Sequence, residues 1–228
     1  MIKHPQVTES ARTGAEKKSV PFKLILSSRN MWAAIACNFF LMGFMSFTMF
    51  LPSYLRAEDA EIFTPDKVVV ITTAYSVGLI ISRALYATFS KRIKPNRFLI
   101  FSCIFTTIVA VGALLLNIWI VWVVAMFLIG LIAGSNYTAK VIISCSQFPE
   151  YSGTTIALAS ISGFVGSMIL SPLIGSFADN YGFTYAMFLP LAALICAAIL
   201  IALIYREDQV PPPQTIPLDA PVVPEAAE

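Results

Sequence analysis

Ile161-Ser-Gly-Phe-Val-Gly-Ser-Met-Ile-Leu-Ser-Pro-Leu-Ile-Gly-Ser-Phe-Ala-Asp-Asn-Tyr-Gly182 is apolar enough to sit in lipid, yet small residues recur along it. Gly163, Gly166, Ser167, Ser171 and Gly175 stand mostly three or four residues apart. Such spacing lets helix backbones approach closely, and close packing drives helix association in a membrane. Pro172 removes a backbone donor and is expected to bend the helix. Asp179 and Gly182 are expected to end it. The pattern occurs twice. Val77-Gly78-x-x-Ile81-x-x-x-Leu85-x-Ala87-x-Phe89 matches Val165-Gly166-x-x-Ile169-x-x-x-Leu173-x-Gly175-x-Phe177 at an offset of 88 residues. A spanning helix that recurs points to an internal repeat.

The rest of the chain supports a membrane setting. Of 228 residues 57% are hydrophobic and 12% charged, too few charges to cover a soluble domain of this size. A bilayer core of about 30 Å needs about 20 helical residues. Six runs meet that length: Met31–Leu55, Val68–Phe89, Phe98–Leu116, Ile118–Ile143, Thr155–Phe177 and Tyr185–Tyr205. The expected fold is an all-α membrane protein with six transmembrane helices. Trp32 and Phe40-Leu41-Met42-Gly43 in the first run match Trp119 and Phe127-Leu128-Ile129-Gly130 in the fourth, at an offset of 87. Each repeat unit then has three helices. Three is odd, so the second unit enters from the opposite side, giving a 3+3 inverted repeat.

Three regions follow from composition. Residues 1–30 form a polar leader, with a short amphipathic segment at Pro21–Arg29 that is expected to lie along the inner membrane surface. Residues 31–206 hold the six helices. Residues 207–228 hold six prolines and no apolar periodicity, and are expected to be a disordered cytoplasmic tail. Lys and Arg set the orientation. Six lie in the leader, four in the loop from Lys91 to Arg97, and one each at Lys140 and Arg206. On the other face only Arg56 and Lys67 stand, among Glu58, Asp59, Glu61 and Asp66. Both termini are therefore expected in the cytoplasm, in a plasma or inner membrane.

Several chemistries find no support. Cys37, Cys103, Cys145 and Cys196 all lie in apolar runs without metal-ligand spacing, and read as packing residues. The single histidine, His4, lies in the leader. There is no nucleotide-binding glycine loop and no nucleophile–base constellation. An enzyme, a metal, a cofactor and a nucleic-acid partner are all unexpected. No carboxylate lies deep in any span.

The chain resembles one half of a major facilitator superfamily transporter, most closely the C-terminal half. Ser162-Gly163-x-x-Gly166 through Pro172-x-x-Gly175 resembles the family's motif on the fifth helix of a half. Gly130-x-x-x-Gly134, followed by Phe148-Pro149-Glu150-x-Ser152-Gly153, resembles the fourth helix and the loop after it. Phe89-Ser90-Lys91-Arg92-Ile93-Lys94-Pro95-Asn96-Arg97 resembles the basic loop between a half's second and third helices. That loop departs from the family pattern: Ala87 stands where glycine is usual, and Lys91 where aspartate is usual. The family has twelve helices. The resemblance therefore implies a second six-helix half as partner, either a separate chain or a second copy, besides the lipid bilayer and a small solute.

The polar groups at membrane depth are the candidate substrate-binding residues. Arg83 offers a guanidinium to an anion or hydroxyl; alternatively it snorkels to the interface. Asn38 on the first helix and Asn136-Tyr137 on the fourth lie on the two helices that line the cavity in the family. Their other reading is hydrogen bonding between helices. Tyr75 is a further candidate. Asn38, Ser46, Tyr75, Asn136 and Tyr137 are expected on the face turned to water and the partner. Gly130, Gly134, Gly163, Gly166, Pro172 and Gly175 read as helix-packing positions. The resemblance implies transport of a small polar solute, a sugar or organic anion, by alternating access. The rival reading is a transport-inactive half, or a membrane interaction or regulatory protein.

Overall fold

The computed structural model describes residues 22–89, 94–148 and 151–204. Most of the leader, the tail and the centre of the basic loop lie outside the described residues, as do Pro149 and Glu150. Among the described residues the chain is helical throughout, with no strand. The elements are α1 (Phe22–Ser27), α2 (Arg29–Gly43), α3 (Met45–Glu58), α4 (Pro65–Phe89), α5 (Pro95–Leu116), α6 (Trp119–Gln147), α7 (Ser152–Tyr181), α8 (Phe183–Ala186) and α9 (Phe188–Ile204). They make six stretches long and apolar enough to cross a membrane: Arg29–Glu58, Pro65–Tyr86, Pro95–Leu116, Trp119–Cys145, Ser152–Tyr181 and Phe183–Ile204. α2 and α3 form the first span, interrupted at Phe44 just after Gly43. α8 and α9 form the sixth.

Local chemistry sets the helix ends. Pro65 and Pro95 open α4 and α5, where proline's missing N–H is no loss. Asp66 sits in the first turn of α4, against the positive end of its dipole. Asn117 ends α5 in the left-handed region, φ 47°, and its Oδ1 accepts from Trp122 Nε1 at 3.2 Å. That bond pins the turn into α6. α7 runs through Asp179 and stops at Gly182, whose φ of 92° suits only glycine. Pro172 does not interrupt α7, and its ring lies on the exposed side of the bundle.

The ends of the bundle can be matched. Arg29 Nη2 donates to Leu203 O at 3.2 Å, so the start of the first span and the end of the sixth share one face. Thr184 Oγ1 donates to Glu58 Oε2 at 3.0 Å on the other. Nearer that second face Phe47, Tyr54 and Trp122 are fully buried, with Trp122 6.5 Å from Phe47 and 6.0 Å from Tyr54 between ring centroids.

Two helix crossings dominate the packing: α4 against α6, and α2 against α7. Both are made by glycine. A Cβ added at Gly78 would strike Phe127 O of α6, and one at Gly166 would strike Phe39 O of α2. The two crossings are related by an offset of 88, since Gly78 and Phe39 become Gly166 and Phe127. A Cβ at Gly130 would in turn strike Tyr75 O, and one at Gly134 would lie 2.7 Å from Leu79 O. Two serine pairs follow the same rule. Ser82 and Ser135 share a hydrogen bond of 2.6 Å, and Ser46 and Ser171 one of 2.7 Å. An offset of 89 carries one pair onto the other. The remaining contacts, α5 with α6 and α2 with α9, also exchange under this relation. The packing is consistent with a 3+3 repeat.

Candidate functional site

A cleft of about 160 Å³ opens between the first, second, third, fourth and sixth spans, the last contributing Leu194. Its polar lining comprises Tyr75 and Arg83 from α4, Thr106 from α5, and Asn136, Tyr137 and Lys140 from α6. Met42, Phe44 and Met45 close one wall at the break between α2 and α3. α6 is brought against α4 by Gly130 and Gly134, so the glycine crossing forms the cleft's back. The Ser82–Ser135 bond, with Ser135 Oγ also 3.2 Å from Ser82 O, fixes the register of that crossing one residue from Arg83.

Four of the five candidate residues therefore come together. Arg83 is exposed at the cleft's edge and Tyr75 is nearly buried inside it. Tyr75 Oη lies 4.0 Å from Met45 Sδ. Tyr137 is 52% exposed, so its ring remains open to a partner or solute. Asn38 differs. It is buried, its Nδ2 donates to Ala159 O of α7, and its Oδ1 accepts from Lys140 Nζ at 2.6 Å. Its amide thus ties three helices together and does not line the cleft. Ser46 is buried too, bonded to Ser171. The expectation that Asn38 and Ser46 face a partner is corrected: both lie inside the bundle.

Lys140 is the residue that sequence reading missed. By sequence it stands at the end of the fourth helix, as one more cytoplasmic-side charge. α6 in fact continues to Gln147, which leaves Lys140 seven residues inside the helix. Its ammonium bonds Asn38 and stands 4.9 Å from the centroid of the Tyr137 ring. It touches the main cleft and two smaller voids, one beside Cys37 and Ile201, the other beside Ile156 and Ser160. No acidic residue occurs between Asp66 and Glu150, so the stretch holding Arg83 and Lys140 carries no carboxylate. Thr106 was also missed; one threonine in an apolar run gives no signal of its own. The Thr106 hydroxyl is buried without a hydrogen-bond partner, and so is Asn136 Oδ1.

The packing residues divide. Gly130, Gly134 and Gly166 meet backbone of the facing helix, while Gly163 meets the side chains of Met42 and Asn38. A Cβ at Gly175 would meet nothing within 4 Å, so Gly175 is no contact position. Neither is Pro172, on the same outer side.

Six helices long and apolar enough to cross a membrane, packed beside a cleft with polar lining, fit a membrane transport protein. The model of the Major Facilitator Superfamily matches residues 60–227, beginning just after the first span. The chain belongs to that family, whose members are membrane transporters. No curated protein is matched by the sequence.

Proposed function

We propose that this chain carries the solute-binding cleft of an organic-anion transporter working by alternating access. The observation that carries the reading is the pairing of Arg83 with Lys140 around one cleft, in a stretch without a carboxylate. Two cations without a local counter-ion attract an anion and repel a cation. Of the solute classes expected from sequence, a neutral sugar would leave both cations without a counter-charge at membrane depth, which is unfavourable.

The 3+3 repeat, supported by the 88-residue relation of the crossings, supplies the rocking unit that alternating access requires. A second six-helix half completes the transporter on this reading. The second and fifth spans, equivalent under the repeat, bury only 28% and 22% of their residues, against 39–44% for the other four. They carry exposed Ile80, Phe164 and Met168, a surface suited to a partner half. The setting is a plasma or inner membrane, with both termini cytoplasmic.

Uptake of radiolabelled organic anions into vesicles from membranes holding the protein tests this. Arg83→Gln and Lys140→Gln are each expected to lower anion uptake by about tenfold, the loss of one charge-assisted hydrogen bond. Uptake that is unchanged in both variants refutes the reading.

A further inference from the structure

The cleft's cations do not account for all of its polar groups. Arg83 and Lys140 are donors only, and are answered by a carboxylate. Asn136 Oδ1 is an acceptor only, and the Thr106 hydroxyl can act either way. Both atoms are buried without a partner, and both residues line the cleft. Thr106 is 2% exposed, so bulk water does not serve it. Buried polar atoms in native proteins have partners in the great majority of cases, and an orphan asks for an explanation.

Each simple solute class leaves something unpaired. A plain carboxylate satisfies the cations but has no hydrogen to give Asn136 Oδ1. A neutral polyol has hydrogens to give but leaves two cations without a counter-charge. An amino acid supplies donors through its ammonium, but that charge enters a cleft already holding Arg83 and Lys140 with no acidic residue near them in sequence. A hydroxyl donates without charge. It also accepts, so it answers a donor such as the Thr106 hydroxyl as well.

We infer that the solute is a hydroxycarboxylate: the carboxylate is held by Arg83 and Lys140, and a hydroxyl donates to Asn136 Oδ1 beside Thr106. This rests on the anion reading above and narrows it. It also assigns a specificity role to Thr106 and Asn136, which sit on different helices and converge on one cleft.

The test compares three acids of one carbon skeleton on the whole chain: butyrate, 2-hydroxybutyrate and 2-aminobutyrate. The readout is the concentration of each that protects the protein in detergent against thermal unfolding. 2-Hydroxybutyrate is expected to protect at a concentration about tenfold below that of butyrate, because butyrate leaves a buried acceptor unpaired. 2-Aminobutyrate is expected not to protect. Thr106→Val, which removes only the hydroxyl at nearly constant shape, and Asn136→Ala are each expected to shrink the gap between the first two acids. Equal protection by butyrate and 2-hydroxybutyrate overturns the inference and leaves the anion reading standing. So does a gap that survives in both variants. Protection by 2-aminobutyrate as strong as that by the hydroxy acid overturns the choice of hydroxyl. If none of the acids protects, the anion reading falls and this inference falls with it.

Discussion

Gly166→Ala adds a single methyl group, and its effect can be worked from the crossing of α7 on α2. The new Cβ would strike Phe39 O, and would also lie 2.8 Å from Phe39 C and 3.0 Å from Phe39 Cα. All three are backbone atoms in the middle of a helix, so no rotamer change relieves the clash. The helices must separate, which breaks or strains the adjacent Ser46–Ser171 bond between α3 and α7. Overpacking of this kind costs about 1–3 kcal/mol. Gly175→Ala is the internal control. It lies on the same helix and meets nothing within 4 Å, so it keeps only alanine's better helix propensity, a gain of up to about 1 kcal/mol. The two variants are therefore expected to differ by roughly 2–4 kcal/mol, with the wild type between them. Thermal unfolding of purified protein in detergent reads the order directly. Gly78→Ala, at the equivalent crossing, is expected to behave like Gly166→Ala, because Phe127 O stands where Phe39 O does. If Gly166→Ala proves as stable as Gly175→Ala, the close backbone contact is wrong.

Three further outcomes are expected. Membrane-impermeant thiol reagents are expected to label single cysteines at Asp59 and Asn180 from outside and one at Lys94 only after permeabilisation; external labelling at Lys94 would invert the topology. A double-mutant cycle of Lys140→Met and Asn38→Leu is expected to return a coupling of about 1–3 kcal/mol in thermal stability, the range for a buried hydrogen bond to a charge, and a coupling near zero would show that the 2.6 Å contact does not hold the helices. Cysteines at exposed Ile80 or Met168 are expected to cross-link to a partner half in native membranes, whereas one at buried Ser46 is not; the reverse pattern would move the partner to another face.

The six spans were legible because hydropathy over about 20 residues leaves little choice of structure in lipid. Their ends were not. Helices α4, α6 and α7 run several residues beyond the apolar runs, through Pro65–Lys67, Ser144–Gln147 and Ser152–Thr154, since a helix does not stop where its sequence turns polar. Placed near the end of a run that closes at Ile143, Lys140 reads as a helix-end charge at the membrane surface, whereas α6 continues to Gln147. The buried asparagine that accepts its proton lies 102 residues away, beyond the reach of any local pattern. The glycines show what could have been read. Gly163 and Gly166 are three apart and share a helix face. Gly166 and Gly175 are nine apart, about two and a half turns, and must point to opposite sides. Small-residue spacing was counted along the motif without following the helical phase, so Gly175 was grouped with residues it cannot join.

Lys140 links the fold to the proposed chemistry. A lysine within a membrane bundle is unfavourable unless its charge is answered. Asn38 Oδ1 answers with a dipole, and the Tyr137 ring with a quadrupole at 4.9 Å. Neither carries net charge, and both come from groups with other work: Asn38 also binds Ala159 O, and Tyr137 is half exposed. A protein needing only to join α2 to α6 could do so with a neutral pair, as Ser82 and Ser135 join α4 to α6. The ammonium therefore asks for a function that a neutral group cannot supply. Arg83 stands on the same cleft, without a carboxylate in the stretch between Asp66 and Glu150. An anion entering there would compete with Asn38 for Lys140, and Asn38 is one of the residues that join α2 to α7. On the proposed reading, solute occupancy and the joint between the two repeat units thus meet at one nitrogen atom.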